Sequence, residues 1–114
     1  MASWLPAASL LLVTLCTKAF PEQNFQTKAS GAQRPAVAQR IEELHRAAHP
    51  DCADARATAA HPSGEEPSTG AVIETWTLEA CDKVIDYEVR LVPKAGGGWT
   101  VDSIRLWKER KAWY

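Results

Sequence analysis

Residues 74–93 read ETWTLEACDKVIDYEVRLVP, and the reading of this stretch decides the fold. Apolar and polar residues alternate on both sides of Asp82 and Lys83, the pattern of a two-stranded antiparallel hairpin with a cysteine at its turn. With Asp82 and Lys83 as the turn residues, Cys81 faces Val84, Ala80 faces Ile85, Leu78 faces Tyr87 and Trp76 faces Val89. Side chains alternate between faces with a period of two. This register therefore gathers Trp76, Leu78, Ala80, Ile85, Tyr87, Val89 and Leu91 on one surface. Aromatic residues then sit across from aliphatic and β-branched ones, a stabilising kind of pair. The other surface carries Thr75, Thr77, Glu79, Asp86, Glu88 and Arg90 and suits water. A one-residue slip would mix the two sets, so the register is well specified. Two details oppose this turn: Glu79 faces Asp86, a like-charge pair, and Asp-Lys is not a favoured two-residue turn. A longer loop of the same parity removes the second objection and keeps the faces.

The apolar face of such a hairpin needs a cover. Residues 35–49, PAVAQRIEELHRAAH, place Val37, Ile41, Leu44 and Ala48 at i, i+4, i+7 and i+11, an apolar stripe along one side of a helix. Pro35 suits the first helical position, and Pro50 ends the element because the residue before a proline resists the helical region. Residues 53–60, ADARATAA, suit either an extension of the helix or an edge strand. A return strand is what the sheet needs, so a strand is expected. Residues 62–70 and 95–98 are loops by composition. In the last strand, from 99 to 110, Trp99 and Val101 share one face whereas Ile104 and Leu106 share the other. That change of phase predicts a bulge near Asp102 and Ser103, or a strand buried on both sides. The expected fold is α+β: over residues 35–114, one amphipathic helix packs on a three- to four-stranded antiparallel meander.

Residues 1–19, MASWLPAASLLLVTLCTKA, contain an apolar run over 4–16 and no acidic residue. The run is too short to span a bilayer, which needs about twenty residues. It suits a secretory signal, and Thr17-Lys18-Ala19 offers small residues for cleavage near Ala19. The segment departs from the usual pattern in having no Lys or Arg before the apolar run. Leu15, standing where a small residue would be needed, argues against lipid attachment at Cys16. The expected location is periplasmic or secreted. Residues 20–34, polar and without periodicity, read as a flexible tether. Loss of the signal removes Cys16 and leaves Cys52 and Cys81, an even pair that predicts one disulfide in an exported domain. Without a Cys-x-x-Cys spacing, the bridge reads as a structural staple and not a redox centre.

With 114 residues, the chain has room for one domain and one modest core. A net charge of −1 leaves no electrostatic footprint for nucleic acid or for an anionic membrane.

Glu74, Trp76, Thr77, Ala80, Cys81 and Lys83 spell E-x-W-T-x-x-A-C-x-K. With an upstream cysteine and a Gly-rich turn before the last strand, the motif resembles a group of small exported bacterial proteins of uncharacterised function. The resemblance covers residues 51–106, and Asp82 stands where that group carries glycine. It implies an envelope location and a structural cysteine pair, and it brings no catalytic residue with it.

Three constellations are candidates for chemistry. His45 and His49 have the i, i+4 spacing of a zinc site and, with His61 and Asp51, form a possible zinc or copper set. Arg46 stands where the zincin pattern needs glutamate, and solvated histidines are the plainer reading. Glu74, Glu79, Asp86 and Glu88 would need a desolvated cleft to work as an acid/base pair, yet most of them fall on the wet face. The tail RLWKERKAWY interleaves Arg105, Lys108, Arg110 and Lys111 with Trp107, Trp113 and Tyr114. Aromatic and basic residues together suit a protein hot spot, a stacked ligand or a membrane interface. The plainer reading has Trp107 capping the core. No core partner is evident for Trp113 and Tyr114, so Trp107, Arg110, Lys111, Trp113 and Tyr114 are the expected contact residues. The sequence thus points to a monomeric, exported, non-catalytic envelope module with no cofactor. Its expected partner is an envelope protein or a peptide, with peripheral membrane contact a further option and no nucleic acid. The alternative is a periplasmic small-molecule or metal-binding protein with, at most, weak enzymatic activity.

Overall fold

The computed structural model describes residues 24–111. The leader expected over residues 1–19 lies outside them, as do Trp113 and Tyr114. The hairpin is present, but it closes on Cys81 and Asp82 instead of Asp82 and Lys83. Both residues have positive φ, 45° and 67°, as a two-residue type I′ turn requires to match the right-handed twist of its strands. Strand β2 (Ala71–Ala80) pairs antiparallel with β3 (Lys83–Pro93), setting Ala80 against Lys83, Leu78 against Ile85 and Trp76 against Tyr87. Each partner is displaced by two residues from the expected register. An even step leaves every side chain on its expected face. The shift also separates the two like charges. Glu79 now faces Val84, while Asp86 faces Thr77, whose hydroxyl lies 3.0 Å from the Asp86 carboxylate.

Two further strands, β1 (Ala55–Glu66) and β4 (Trp99–Lys111), complete a four-stranded antiparallel sheet of order β1-β2-β3-β4. The strand expected within residues 53–60 is present, but the loop expected over 62–70 is mostly strand. Chain pairing continues to Glu66, and only residues 67–70 turn. A register shift between Pro62 and Gly64 explains this: on an edge strand, a bulge accommodates a proline that cannot donate and a glycine that cannot pack. Strand β4 shifts register between the partners of Arg90 and Leu91, placing a bulge at Asp102 as expected. That bulge lets Trp99, Val101 and Ile104 all pack against the core. A second bulge, at Trp107, is new.

Helix α1 (Gln33–Ala48) begins two residues before the expected Pro35. Pro35 therefore sits third in the helix, still within the first turn, where its missing N–H costs no hydrogen bond. The buried residues are Val37, Ala38, Ile41 and His45; of the expected stripe, Leu44 is half-buried and Ala48 exposed. The helix is rotated toward β1, where the Ala57 N–H donates to the Glu42 carboxylate at 2.9 Å. Just past its end, Cys52 is bonded to Cys81 with 6.1 Å between the Cα atoms. The staple is as the cysteine count predicts.

The expected tether is the main correction. Phe25 and Ala29 are buried, and Phe25 pairs with Ala60 as an isolated parallel bridge. The Phe25 ring lies 5.4 Å from that of Trp76. What holds this strap is Glu74, which is 1% exposed on the core side of β2. Its carboxylate accepts from the Thr27 hydroxyl at 2.6 Å, the Lys28 N–H at 2.7 Å and the Trp76 indole N–H at 3.0 Å. Three donors at these distances replace the water that a buried carboxylate gives up. Beneath the strap and helix, Trp76, Leu78, Ile85, Val89, Leu91 and Ile41 are fully buried.

Two outcomes follow. Reducing the bridge, which spans 29 residues, is expected to lower the unfolding free energy by about 3–4 kcal/mol, measured by urea unfolding with and without reductant. Glu74→Ala leaves three donors unpaired and is expected to cost about 2–4 kcal/mol. Hydrogen exchange at the amides of Gln26 and Lys28 is expected to accelerate in this variant, and Glu74→Gln to recover part of both effects.

Candidate functional site

The proposed metal set is divided by the sheet. His45 and His49 do meet, with ring centroids 4.7 Å apart. Together with Asp51, the disulfide and Lys83 they line a shallow cleft of about 220 Å³. His61 is opposite Thr75, and both belong to the outer face of the sheet, away from the helix. Among the described residues, no three His, Cys, Asp or Glu side chains gather to hold a metal ion. Nor is His45 a solvated histidine, being only 4% exposed. Burial lowers its pKa, and the neighbouring His49 and Lys83 act in the same direction against an opposing pull from Glu109. Glu109 is itself held below the usual carboxylate range by its hydrogen bond to Lys83, at 2.8 Å.

Glu74, Asp86 and Glu88 are each held by partners of their own. Glu74 is the anchor of the strap. On the outer face, Asp86 binds Arg110 at 2.9 Å and Glu88 binds Arg105 at 2.7 Å, while Arg90 joins Glu66 at 2.8 Å to Asp102 at 2.6 Å. These contacts form a ladder of ion pairs across β3 and β4. The Thr75 hydroxyl lies among them, buried and without a hydrogen-bond partner among the described residues. Glu79 lines an open cleft of about 280 Å³ with Asp54, Arg56 and Asp82, where all three carboxylates are exposed.

Strand β4 presents a different surface. Leu106 and Trp107 are each 57% exposed, whereas the other large apolar residues described are covered to a greater extent. Trp107 occupies the second bulge and does not cap the core. Arg110 is engaged by Asp86, and the Lys111 backbone pairs with that of Lys83. Between α1 and β4 runs a groove of about 230 Å³ lined by Leu44, Ala48, Tyr87, Ile104, Leu106 and part of Arg105, with His45 and His49 at its side. Burial and, to a smaller extent, Glu109 raise the Tyr87 phenol pKa. The groove has a geometric cause. Four strands at a spacing of about 4.8 Å span roughly 14 Å, more than the roughly 10 Å width of one helix. A helix seated toward β1 leaves the β4 side uncovered. The sequence holds that signal in Ile104 and Leu106, two apolar residues on one face of an outer strand with a single helix to cover four strands.

His45 makes stability depend on pH. Its folded pKa lies below the ordinary value of 6.5, so between the two values the unfolded chain binds more protons. Stability is therefore full above that ordinary value and falls as pH drops through it toward the folded pKa. Thermal unfolding from pH 8 to pH 5 is expected to show this loss, and His45→Leu to flatten it. Compared with protein-family models, with curated proteins and with solved structures, the chain matches none.

Proposed function

We propose that the chain is an exported, non-catalytic module that contacts another envelope protein or a peptide through β4 and the residues beyond it. The observation that carries this reading is the exposure of Leu106 and Trp107, side by side on the last strand of a sheet. Exposed apolar residues clustered among charged ones are the usual composition of a contact surface. The ion pairs of the outer face support the same reading, because they occupy Glu66, Asp86, Glu88 and Asp102. A disulfide between Cys52 and Cys81 suits an oxidising compartment, in keeping with a periplasmic or secreted location after processing near Ala19. No helix among the described residues is long and apolar enough to cross a membrane. The resemblance of residues 51–106 to small exported bacterial proteins belongs to this same proposal.

Photocrosslinking in cells tests it. A photoreactive residue at position 107 is expected to give an adduct with one discrete envelope polypeptide. The same residue at position 47, exposed on α1, is expected to give none, and Leu106→Ser to weaken the adduct from 107 several-fold. Equal adducts from 107 and 47, or none from 107, contradict the proposal.

A further inference from the structure

The two edges of the sheet are treated differently. The β1 edge is occupied: Gln26 N–H donates to the Ala60 carbonyl at 2.9 Å, and Glu42 accepts from the Ala57 N–H at 2.9 Å. On β4, the Gln33 side chain caps the Trp99 carbonyl at 2.6 Å. Beyond Trp99, no side chain or strap among the described residues covers the backbone of that edge. The bulges at Asp102 and Trp107 bracket one regular run, Ser103, Ile104, Arg105 and Leu106. Ile104 faces Val89 and Leu106 faces Tyr87 on the helix side, beside the groove. Arg105 faces Glu88 on the other side and keeps 73% of its side chain exposed. Arg105 and Arg110 are paired with Glu88 and Asp86, and Asp102, at the first bulge, is paired with Arg90. Lys108 is exposed and has no ion-pair partner among the described residues.

We infer that the run 103–106 accepts an extended peptide as an added strand, with apolar side chains alternating into the groove and acidic ones toward Arg105 and Lys108. This inference rests on the reading of β4 as the contact surface and specifies the partner's chemistry. Added strands bind through main-chain hydrogen bonds and are selected by pockets for alternate side chains. The edge, uncovered among the described residues, supplies the first of these and the groove the second. The exposed Lys108, unpaired among the described residues, and the largely exposed Arg105 select acidic residues over basic ones at the positions that face away from the groove. The flanking bulges confine the guest to a few residues, because they bend the edge away from any longer partner.

The probe is a capped hexapeptide of alternating valine and glutamate, titrated into the isotope-labelled chain. Two isomers are compared with it, one methylated on every valine amide and one on every glutamate amide, since each blocks a different edge of the peptide strand. The parent is expected to shift resonances of residues 103–107 and of 44–48. One isomer should lose tenfold or more in affinity while the other binds like the parent. Replacing glutamate with lysine in the peptide, or Leu106→Asp in the chain, should each also lose tenfold or more. Equal binding by both isomers overturns the inference, since apolar contact without strand pairing would suffice. Shifts of the same residues by anionic phospholipid vesicles, with none from the peptide, also overturn it in favour of a membrane surface. A crosslink at position 107 that persists when the peptide fails leaves the module standing without this mode of binding, whereas loss of both removes the module as well.

Discussion

Cys81 is the residue on which the rest of the structure depends. Its left-handed backbone, at φ 45°, opens the two-residue turn that sets the register between β2 and β3. That register puts Trp76, Leu78, Ile85 and Val89 on one face and so determines where a core can form. The sulfur of the same residue then holds Cys52 and with it the exit of α1. A side chain in the left-handed region costs about 1–2 kcal/mol, less than the bridge supplies on the chain-entropy account. Turn, register and clamp are thus one local arrangement.

From that point the molecule is covered asymmetrically. The strap and the helix both lie toward β1, held by Glu74 through Thr27 and Lys28 and by Glu42 through Ala57. The outer face is closed electrostatically by the ladder of Arg90, Arg105 and Arg110. Such exposed pairs contribute little to stability individually, but they occupy the carboxylates of that face. What remains uncovered is the β4 side, because the sheet is wider than its one helix. The groove beside Ile104 and Leu106 is a consequence of that width.

The parity of the hairpin was legible in the sequence because faces survive any even displacement of register. The position of the turn was not, because neither Asp-Lys nor Cys-Asp is among the pairs that mark a two-residue turn. The strap was hidden for a different reason. Its own residues are polar, and the partner that orders them, Glu74, lies 46 residues from Lys28 and looked like a solvated acid. The histidines failed as a set because Pro62 and Gly64 read as loop, while the chain in fact carries His61 along β1 onto the outer face. In the tail, the aromatic-basic composition draws the eye to Trp107, whereas the exposure of Leu106 follows from the groove beside it.

Because every strand pairs with its neighbour in the chain, the sheet has a low contact order. Turns at residues 67–70, 81–82 and 94–98 close short loops, so little chain entropy is lost before pairing is rewarded. The strap, which joins distant segments, can engage only a sheet that already exists. Ties made after the rate-limiting step slow unfolding and leave folding speed nearly unchanged. A chain whose strap is loosened at Glu74 would thus still reach the native arrangement at its usual pace and would leave it sooner.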